Sequence, residues 1–419
     1  MATLQELHEL GQSTWLNYFR NSFIRSGELA TSLRLGIQGI TANAAVYERA
    51  ISGSSDYDEG IRRAMAAGKP ARRIHEALLV DDIQRAADVL HPVFEETQRR
   101  DGFVSFELEP ALLHEVASTV AEVRHLGHLV DRYNVMVEIP ATPAGVDAIR
   151  ALIADGVSVN ATHLFTVSGY ERVAAAYLAG LQDYIDSHSV WRTTPTAVAS
   201  FSLSPIDAAV DARLDELGRP DLKGRTAIAL AKTVYARYRQ LFNGPEWERL
   251  AARRGQPLRL KWTRTTPHDF LYPDLYYVNQ LIGADTVLTF SRATLNAFLH
   301  DGAVAATLAN GIDAAEAHLQ EVRRLGIDLD ATGEALQASH LETTDRRFQT
   351  LVQTVICKRD RLDTGEETLI SELGEAQPLV DEGLAALCRH SIVSRIWAHD
   401  YTVWQSKPAE ITNRLGWLH

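Results

Sequence analysis

The sequence predicts an α/β protein, an eight-stranded (β/α)8 barrel with a C-terminal helical extension. Short apolar runs alternate along the chain with longer segments whose apolar residues recur at helical spacing. This alternation is typical of parallel strands joined by crossover helices. No glycine-rich phosphate loop follows the first run, which argues against an open dinucleotide-binding sheet. We expect residues 1–345 to form the barrel and residues 346–419 to form helices packed on its outside.

The strand candidates are short apolar runs, and one further strand would complete a barrel of eight. Helical spacing predicts crossover helices between them, two of which begin at Thr142-Pro143 and Ser204-Pro205. In both, a capping hydroxyl precedes a proline at the first helical position, and Asp207 completes an approximate capping box with Ser204. The seven strand candidates are Leu35–Asn43, Val104–Glu109, Val135–Pro140, Val157–Phe165, Ala197–Leu203, Leu258–Thr265 and Thr286–Phe290.

The composition changes near residue 360. Residues 359–381 are polar and acidic, which indicates a linker or an exposed helix start, and residues 378–396 are typical of a helix. The last segment, from Arg395 onward, contains three tryptophans in a short space, at positions 397, 404 and 417. So many large apolar side chains need a surface to pack against.

The overall composition excludes several classes of protein. The chain has 419 residues and a net charge of −12, which argues against a nucleic-acid-binding surface. No apolar stretch approaches the length of a membrane span, and two cysteines provide neither a disulfide framework nor a cysteine zinc site. We expect a cytoplasmic monomer or homodimer that acts on a small molecule, with no cofactor and no nucleic-acid or membrane partner.

Several polar residues interrupt the apolar strands. In a parallel barrel alternate residues point inward, and the site lies at the carboxyl ends of the strands. Glu107 and Glu109 share one face of their strand, Glu138 lies near the end of Val-Met-Val-Glu-Ile-Pro, and Asn160 and Thr162 share a face. A carboxylate buried without a partner is costly. These residues therefore form either a structural hydrogen-bond network or a functional site.

A series of motifs from about Leu10 to about Leu341 resembles the transaldolases in content and in order. The resemblance implies a barrel enzyme that binds a ketose phosphate through a lysine imine. The tail from Arg395 to Leu418 resembles the junction in fused transaldolase–phosphoglucose isomerase proteins, and we expect no isomerase domain after it. The motifs that carry the resemblance are residues 15–17, 39–43, 50–53 with 57–58, 101–107, 139–142 and 159–162.

The chain departs from the transaldolase pattern where the imine forms. The resemblance places the imine lysine between two apolar residues, the second of which directly precedes Pro-Ala-Thr. This chain has Glu138 at that position, between Val137 and Ile139. Glutamate cannot form an imine, so that covalent mechanism is closed to this position. The family's acid–base aspartate after Trp-Leu is Asn17, which cannot usefully exchange a proton. Asn43, Glu107, Asn160 and Thr162 match the family, whereas Thr166 replaces a serine.

The resemblance also implies that the residues at the family's phosphate-binding positions differ in this chain. An expected arginine is Glu171, an expected serine aligns with Arg264, a basic residue aligns with His268, and Pro205 replaces another arginine. Arg264 and His268 could still hold a phosphate, although not in the family's arrangement. Together with Asn43, Asn160 and Thr166, they are the predicted substrate-binding residues.

Other candidates for chemistry carry weaker signals. Of the six lysines only Lys261 lies in a predicted barrel strand, one step toward the strand's base, which leaves a relocated imine open. His163 alternates away from Thr162, which predicts a core or helix-facing side chain. Glu107, Glu109 and Glu138 could offer oxygen ligands to a divalent cation, but no histidine spacing supports a transition-metal site, so we predict no metal.

Three functional hypotheses follow. The first is a transaldolase-like enzyme with catalytic residues Glu138, Glu107, Thr162 and Asn17. It would act by general acid–base chemistry on a sugar, sugar phosphate or other polyhydroxylated metabolite, as an isomerase, lyase or cyclase, and by analogy in specialised metabolism. The second is a non-catalytic barrel that binds a ligand or partner. The third is a transaldolase with a relocated lysine.

Overall fold

The computed structural model divides the chain into two compact units, residues 1–362 and residues 363–419. It describes residues 3–42, 44–188 and 194–364, and in the second unit 379–380, 382–383, 386–387, 390, 392–397 and 401–403. The second unit contains the helix Ile392–Trp397 and the 3₁₀ turn Tyr401–Val403. Residues 365–378, 398–400 and 404–419, which include Trp404 and Trp417, lie outside the described residues. That the tail packs on the barrel stays a prediction.

The first unit is a closed barrel of eight parallel strands in chain order, as the sequence predicted. The strand that sequence analysis missed is the first, which pairs with the last strand and closes the barrel. The strands are β1 Gln12–Leu16, β2 Gly39–Thr41, β3 Phe103–Glu107, β4 Val135–Pro140, β5 Val159–Leu164, β6 Ala197–Ser202, β7 Arg259–Thr263 and β8 Thr286–Phe290.

Among the described residues of the first unit, helices connect the strands on the outside of the barrel, and three more come after the last strand in chain order. The helices are α1 Leu4–Glu9, α2 Asn21–Arg25, α3 Glu28–Leu35, α4 Ala44–Gly53, α5 Asp58–Ala66, α6 Ala71–Glu96, α7 Val116–Val130, α8 Pro143–Ala154, α9 Val167–Ser187, α10 Ser204–Glu216, α11 Thr226–Leu241, α12 Pro245–Ala251, α13 Tyr276–Gln280, α14 Arg292–Asp301, α15 Ile312–Arg324 and α16 Leu329–Thr364. Short 3₁₀ turns occur at Pro110–Leu112 and Pro220–Leu222. In the part of the chain that the structure describes, no helix is long and apolar enough to cross a membrane.

The two predicted helix starts differ in the structure. The Thr142 hydroxyl accepts a hydrogen bond from the amide of Gly145 and caps α8, as predicted. The capping box predicted at Ser204 is wrong, because Ser204 is itself the first residue of α10 and the helix has no side-chain cap. Asp207 instead accepts hydrogen bonds from the Ala227 amide at 2.7 Å and the Tyr277 hydroxyl at 2.8 Å. It therefore joins three helices rather than capping its own.

An ion pair closes the amino-terminal end of the barrel. The Arg259 guanidinium lies 3.1 Å from an Asp101 carboxylate oxygen, and both side chains are almost wholly buried. Asp101 also accepts hydrogen bonds from the Ser13 hydroxyl at 2.6 Å and the Trp15 indole at 3.1 Å. Trp15 belongs to an apolar cluster with Phe103 and residues of β4, β6 and β8. The ion pair and the apolar cluster therefore fill the amino-terminal part of the barrel interior.

Helix α16 lies across the carboxyl ends of the strands. Near the start of the helix, the Gln337 amide donates hydrogen bonds to two backbone carbonyl oxygens. One belongs to Ala141, which directly follows β4, and the other belongs to His163 in β5. Near its end, the Lys358 ammonium lies 2.9 Å from Asp58 at the start of α5. The helix thus runs through residue 345, near which the sequence predicted a boundary, and contributes side chains to the barrel's mouth.

The buried ion pair of Arg259 with Asp101 allows a prediction about stability. Replacing Asp101 by Asn leaves the Arg259 guanidinium buried without a counter-charge, and we expect a loss of about 3–5 kcal/mol in the free energy of unfolding. Chemical denaturation followed by circular dichroism measures it. The matched control is Asp285→Asn, since Asp285 pairs with Arg100 in a partly exposed bridge, where we expect a loss below about 1 kcal/mol. Equal losses in the two variants would contradict the stabilising role assigned to the buried pair of Arg259 with Asp101.

Candidate active site

A cavity of about 270 Å³ opens at the carboxyl ends of the strands. Its wall is polar, with serine and threonine hydroxyls from several strands. Five of the residues predicted to be catalytic or substrate-binding line it: Asn17, Glu107, Glu138, Thr162 and Arg264. This is where the sequence predicted the site of a parallel barrel.

Two glutamates form the acidic side of this cavity. Glu107 in β3 and Glu138 in β4 are directly paired in the sheet register, so their side chains project from neighbouring strands into the same space. Withdrawal from water, together with the charge of Glu138, raises the pKa of Glu107 to about 7. Burial also raises the pKa of Glu138, although the Lys261 ammonium and two hydrogen bonds oppose the shift. The pair therefore tends to retain a proton near neutral pH.

A chain of hydrogen bonds fixes Glu138. The Ser105 hydroxyl donates to its carboxylate at 2.7 Å, and the Asn160 amide nitrogen donates to Ser105 at 2.9 Å. The Ser200 hydroxyl donates to the Asn160 carbonyl oxygen at 2.7 Å and so fixes the orientation of that amide. Asn160 is fully buried. It positions Glu138, and its predicted contact with substrate stays a prediction.

Lys261 lies along the wall of the same cavity. Its side chain points inward from β7, is 2% exposed and donates a hydrogen bond to the Thr41 hydroxyl at 3.0 Å. The ammonium also lies 5.0 Å from the centre of the Trp15 ring. Burial lowers its pKa to about 8, although the charges of Glu138 and Glu107 act in the opposite direction. The amine is therefore easier to deprotonate than an ordinary lysine.

Some predicted site residues lie elsewhere. The Thr166 hydroxyl accepts from the Gly169 amide at 2.9 Å and caps α9, so that it is not part of the cavity wall. The His268 ring lies 3.4 Å from an Asp211 carboxylate oxygen, also away from the wall. Asn43 lies outside the described residues. Substrate contacts of these three residues stay predictions.

Two further acidic residues face away from the central cavity. Glu109 follows β3 rather than belonging to it, and it pairs with Arg72. Glu171, which the resemblance placed at the phosphate end, forms an ion pair with Arg237 at 2.5 Å between two outer helices. Among the residues that the structure describes, no group of three histidine, cysteine, aspartate or glutamate side chains could hold a metal ion.

His163 faces a helix, as predicted, because its ring packs edge-on against His340 of α16 with 6.1 Å between the ring centroids. It also lines the cavity, which was not predicted, because the strand is irregular there. The pairing of β5 with β6 shifts between Ala161 and Leu164, and His163 has φ of 59°. Strict alternation is broken, so that Thr162 and His163 both line the cavity. Sequence analysis also missed Arg347, which reaches the cavity from α16. Nothing in the local pattern of a helix so far along the chain pointed to the barrel's mouth.

Comparison with known proteins assigns the family. Residues 15–355 match the family described as transaldolase/fructose-6-phosphate aldolase. The chain belongs to the transaldolase family. A transaldolase of Neisseria gonorrhoeae is 37% identical over 358 residues, which cover 85% of this chain and all of the relative. Transaldolase 2 of a Nostoc species is 35% identical over 367 residues, covering 84% of this chain and 96% of that protein.

Family membership confirms the resemblance read from the motifs and identifies the chain as an enzyme of this family. A Parafrankia transaldolase, 36% identical over 357 residues, covers 84% of this chain. Within this transaldolase-family barrel, Glu138 occupies β4 and points into the cavity. That it replaces the family's imine lysine stays a prediction from the motif Glu-Ile-Pro-Ala-Thr.

The raised pKa of Glu107 makes stability depend on pH. A carboxyl that titrates at about 7 in the folded state and at about 4.5 when unfolded binds a proton that the unfolded chain has released. Its contribution to stability is therefore lost as pH rises from about 4.5 to about 7. We expect Glu107→Gln to stabilise the protein by about 1–3 kcal/mol more at pH 8 than at pH 5. Denaturation curves at both pH values measure this, with Glu109→Gln as control. An equal effect at both pH values would contradict a shared proton.

Proposed function

We propose that this protein is a transaldolase-family enzyme that transfers protons on a polyhydroxylated carbonyl metabolite, a sugar or sugar phosphate, without an imine at residue 138. One observation carries the proposal. Two glutamates on adjacent strands face one cavity, and the raised pKa of Glu107 leaves one member of the pair protonated near neutral pH. Such a pair supplies an acid and a base at the same pH.

The chemistry follows from the positions of three groups. The ionised carboxylate removes a proton either from the carbon beside the carbonyl or from a hydroxyl one carbon further along. The protonated carboxyl returns a proton to the oxygen or carbon that gains electrons. The Lys261 ammonium, on another strand of the same wall, is the positive charge that stabilises an oxyanion developing in the cavity. Proton removal from carbon gives isomerisation, and removal from a hydroxyl gives carbon–carbon cleavage with an enolate as the leaving group.

Of the two reactions, family membership favours carbon–carbon cleavage over isomerisation. The matched family is described as transaldolase/fructose-6-phosphate aldolase, and both names denote aldol chemistry, in which a carbon–carbon bond is made or broken. A non-catalytic barrel is less well supported, because three ionisable groups withdrawn from water are costly to keep if they only fill space. Service in specialised metabolism stays a prediction by analogy.

Replacing Glu138 tests the acid–base role. We expect Glu138→Gln to keep the fold but to lower turnover by roughly 10²–10⁴-fold, because glutamine preserves shape and hydrogen bonding but cannot exchange a proton. The readout is deuterium incorporation beside the carbonyl, followed by proton NMR in D₂O across a panel of ketose and aldose phosphates. Cleavage products are detected in the same spectra.

Glu109→Gln is the matched control, since this nearby carboxylate pairs with Arg72 outside the central cavity. We expect its exchange rate to equal that of the wild type. If Glu138→Gln exchanges deuterium and cleaves substrate at the wild-type rate, Glu138 has no place in the mechanism. A lowered melting temperature with normal exchange would assign Glu138 a structural role.

A specific observation favours a second candidate, an imine formed by Lys261. An amine with a pKa of about 8 is partly neutral at pH 7–8 and can attack a carbonyl. This lysine lines the cavity from β7, whereas the family resemblance places the imine lysine on β4.

Borohydride trapping separates the two candidates. The acid–base account predicts no covalent adduct when the protein is reduced in the presence of fructose 6-phosphate, with peptide mass spectrometry as the measurement. An adduct on Lys261 that disappears in Lys261→Met and persists in Lys232→Met would instead establish the second candidate. Lys232 is a suitable control because its ammonium is bonded to backbone carbonyls of residues 307 and 310 on the barrel's outside.

A further inference from the structure

A second cavity, of about 240 Å³, lies outside the barrel between α11, α13 and α15. It shares no lining residue with the central cavity. Among the described residues that line it, Arg225 and Lys232 carry a positive charge and none carries a negative charge. The chain as a whole has a net charge of −12. A wall with cations alone is therefore a local exception, and its charge is complementary to an anion.

Helix α11 carries both cations of this outer cavity. Arg225 directly precedes the helix, and Lys232 lies seven positions later, which is about 10 Å along the axis and on the same face. Among the described residues, no carboxylate lies within ion-pair distance of Arg225. The charge of Arg225 acts on Asp221, but that carboxylate is paired with Arg219 at 2.9 Å. The Arg225 guanidinium is therefore available to a ligand.

The chain satisfies the Lys232 ammonium only in part. The ammonium donates hydrogen bonds to the backbone carbonyl oxygens of Thr307 at 2.9 Å and Asn310 at 2.6 Å. An ammonium has three donors, so that one remains, and neutral carbonyls do not compensate its charge. Burial lowers the pKa of Lys232, because the charged form has lost hydration. A bound oxyanion would accept the remaining hydrogen bond and supply the counter-charge.

The first turn of α15 forms the opposite wall. Gly311 precedes this helix and has no side chain with which to cap the first-turn amides. Gly311, Ala314 and Ala315 all line the cavity, so that the positive end of the helix dipole borders it. His318, one turn further on, is 5% exposed; its Nε2 lies 3.0 Å from the Thr226 hydroxyl, and its Nδ1 has no hydrogen-bond partner. This wall therefore adds partial positive charge and a buried, incompletely bonded ring to the two cations.

We propose that the outer cavity binds a small metabolite through a phosphate or carboxylate group, held between Arg225, Lys232 and the start of α15. A volume of about 240 Å³ lies just below the usual range of small-molecule sites, about 300–1,000 Å³, which indicates a small ligand. Gln280 and Tyr276 of α13 also line the cavity and provide polar groups for the rest of the ligand. The site goes beyond the proposed function and does not depend on it.

The small number of lysines allows the two cavities to be observed separately. In protein labelled with carbon-13 at the lysine ε carbons, Lys232 reports on the outer cavity and Lys261 on the central cavity. The two signals are assigned by Lys232→Met and Lys261→Met. We expect inorganic phosphate, titrated at constant ionic strength to remove general salt effects, to shift the Lys232 signal with a millimolar dissociation constant.

Two variants test the wall of the outer cavity. We expect Arg225→Gln and Ala314→Glu each to weaken phosphate binding at Lys232 at least about tenfold. The first removes a cation, and the second places a carboxylate in the first turn of α15, where it also favours the helix. Neither change touches the bonds of Asp207 to Ala227 and Tyr277, which hold α11 and α13 together. Melting curves verify that both variants fold.

Arg239→Gln is the matched control, because Arg239 is exposed on the same helix and lies outside the cavity wall. We expect it to bind phosphate like the wild type. Tighter binding of glycerol 3-phosphate than of inorganic phosphate assigns the site to a phosphate ester, and tighter binding of malonate assigns it to a carboxylate.

A Lys232 signal that responds to none of these anions, or that responds equally in Arg225→Gln, Ala314→Glu and the control, would overturn the outer site. A response of the Lys261 signal alone would assign anion binding to the central cavity and would overturn it as well. Neither result bears on the proton-exchange experiment with Glu138→Gln, so the outer site and the proposed function can fail independently.

Discussion

The withdrawal of Glu107, Glu138 and Lys261 from water in one cavity is the constraint on which the site depends. Two acids and one amine share a space in which water screens their charges poorly. The acids titrate at higher pH than usual and the amine at lower pH, because each charged form has lost hydration. The arrangement therefore leaves a carboxyl whose pKa lies near neutral pH beside an amine whose pKa is lowered to about 8.

The fold maintains this constraint from both ends of the barrel. Below the cavity, the ion pair of Arg259 with Asp101 and the apolar cluster around Trp15 fill the barrel interior. Above it, α16 crosses the strand ends, and its His340 and Arg347 form part of the cavity wall. The buried chain Ser105–Asn160–Ser200 then fixes Glu138 laterally, so that its carboxylate has a defined position.

The sequence predicted much of the barrel, and the failures have physical causes. Strand β1 escaped notice because Gln12, Ser13 and Thr14 are polar yet buried, and each donates a hydrogen bond to a residue outside its own strand. The irregular pairing of β5 brought His163 into the cavity against simple alternation. Glu107 and Glu138 could be recognised in the sequence as candidate site residues because a carboxylate within an apolar strand is unusual.

Side chains that reach the cavity from distant parts of the chain could not be predicted from the sequence. Arg347 lies 240 positions beyond Glu107, on a helix whose docking depends on contacts such as those of Gln337. The importance of Lys261 was also underestimated, because its burial and its bond to Thr41 are properties of the closed barrel and not of strand β7. Such residues become visible only when the tertiary fold is known.

The central claim is that Glu107 and Glu138 share a proton near neutral pH. It is tested most directly by NMR titration of protein labelled with carbon-13 at the glutamate carboxyl carbons. The signals are assigned by Glu107→Gln and Glu138→Gln. The account predicts that the Glu107 signal titrates near pH 7 and moves to lower pH when Glu138 is replaced. Two carboxyl signals that both titrate below about pH 5, and independently of each other, would contradict it.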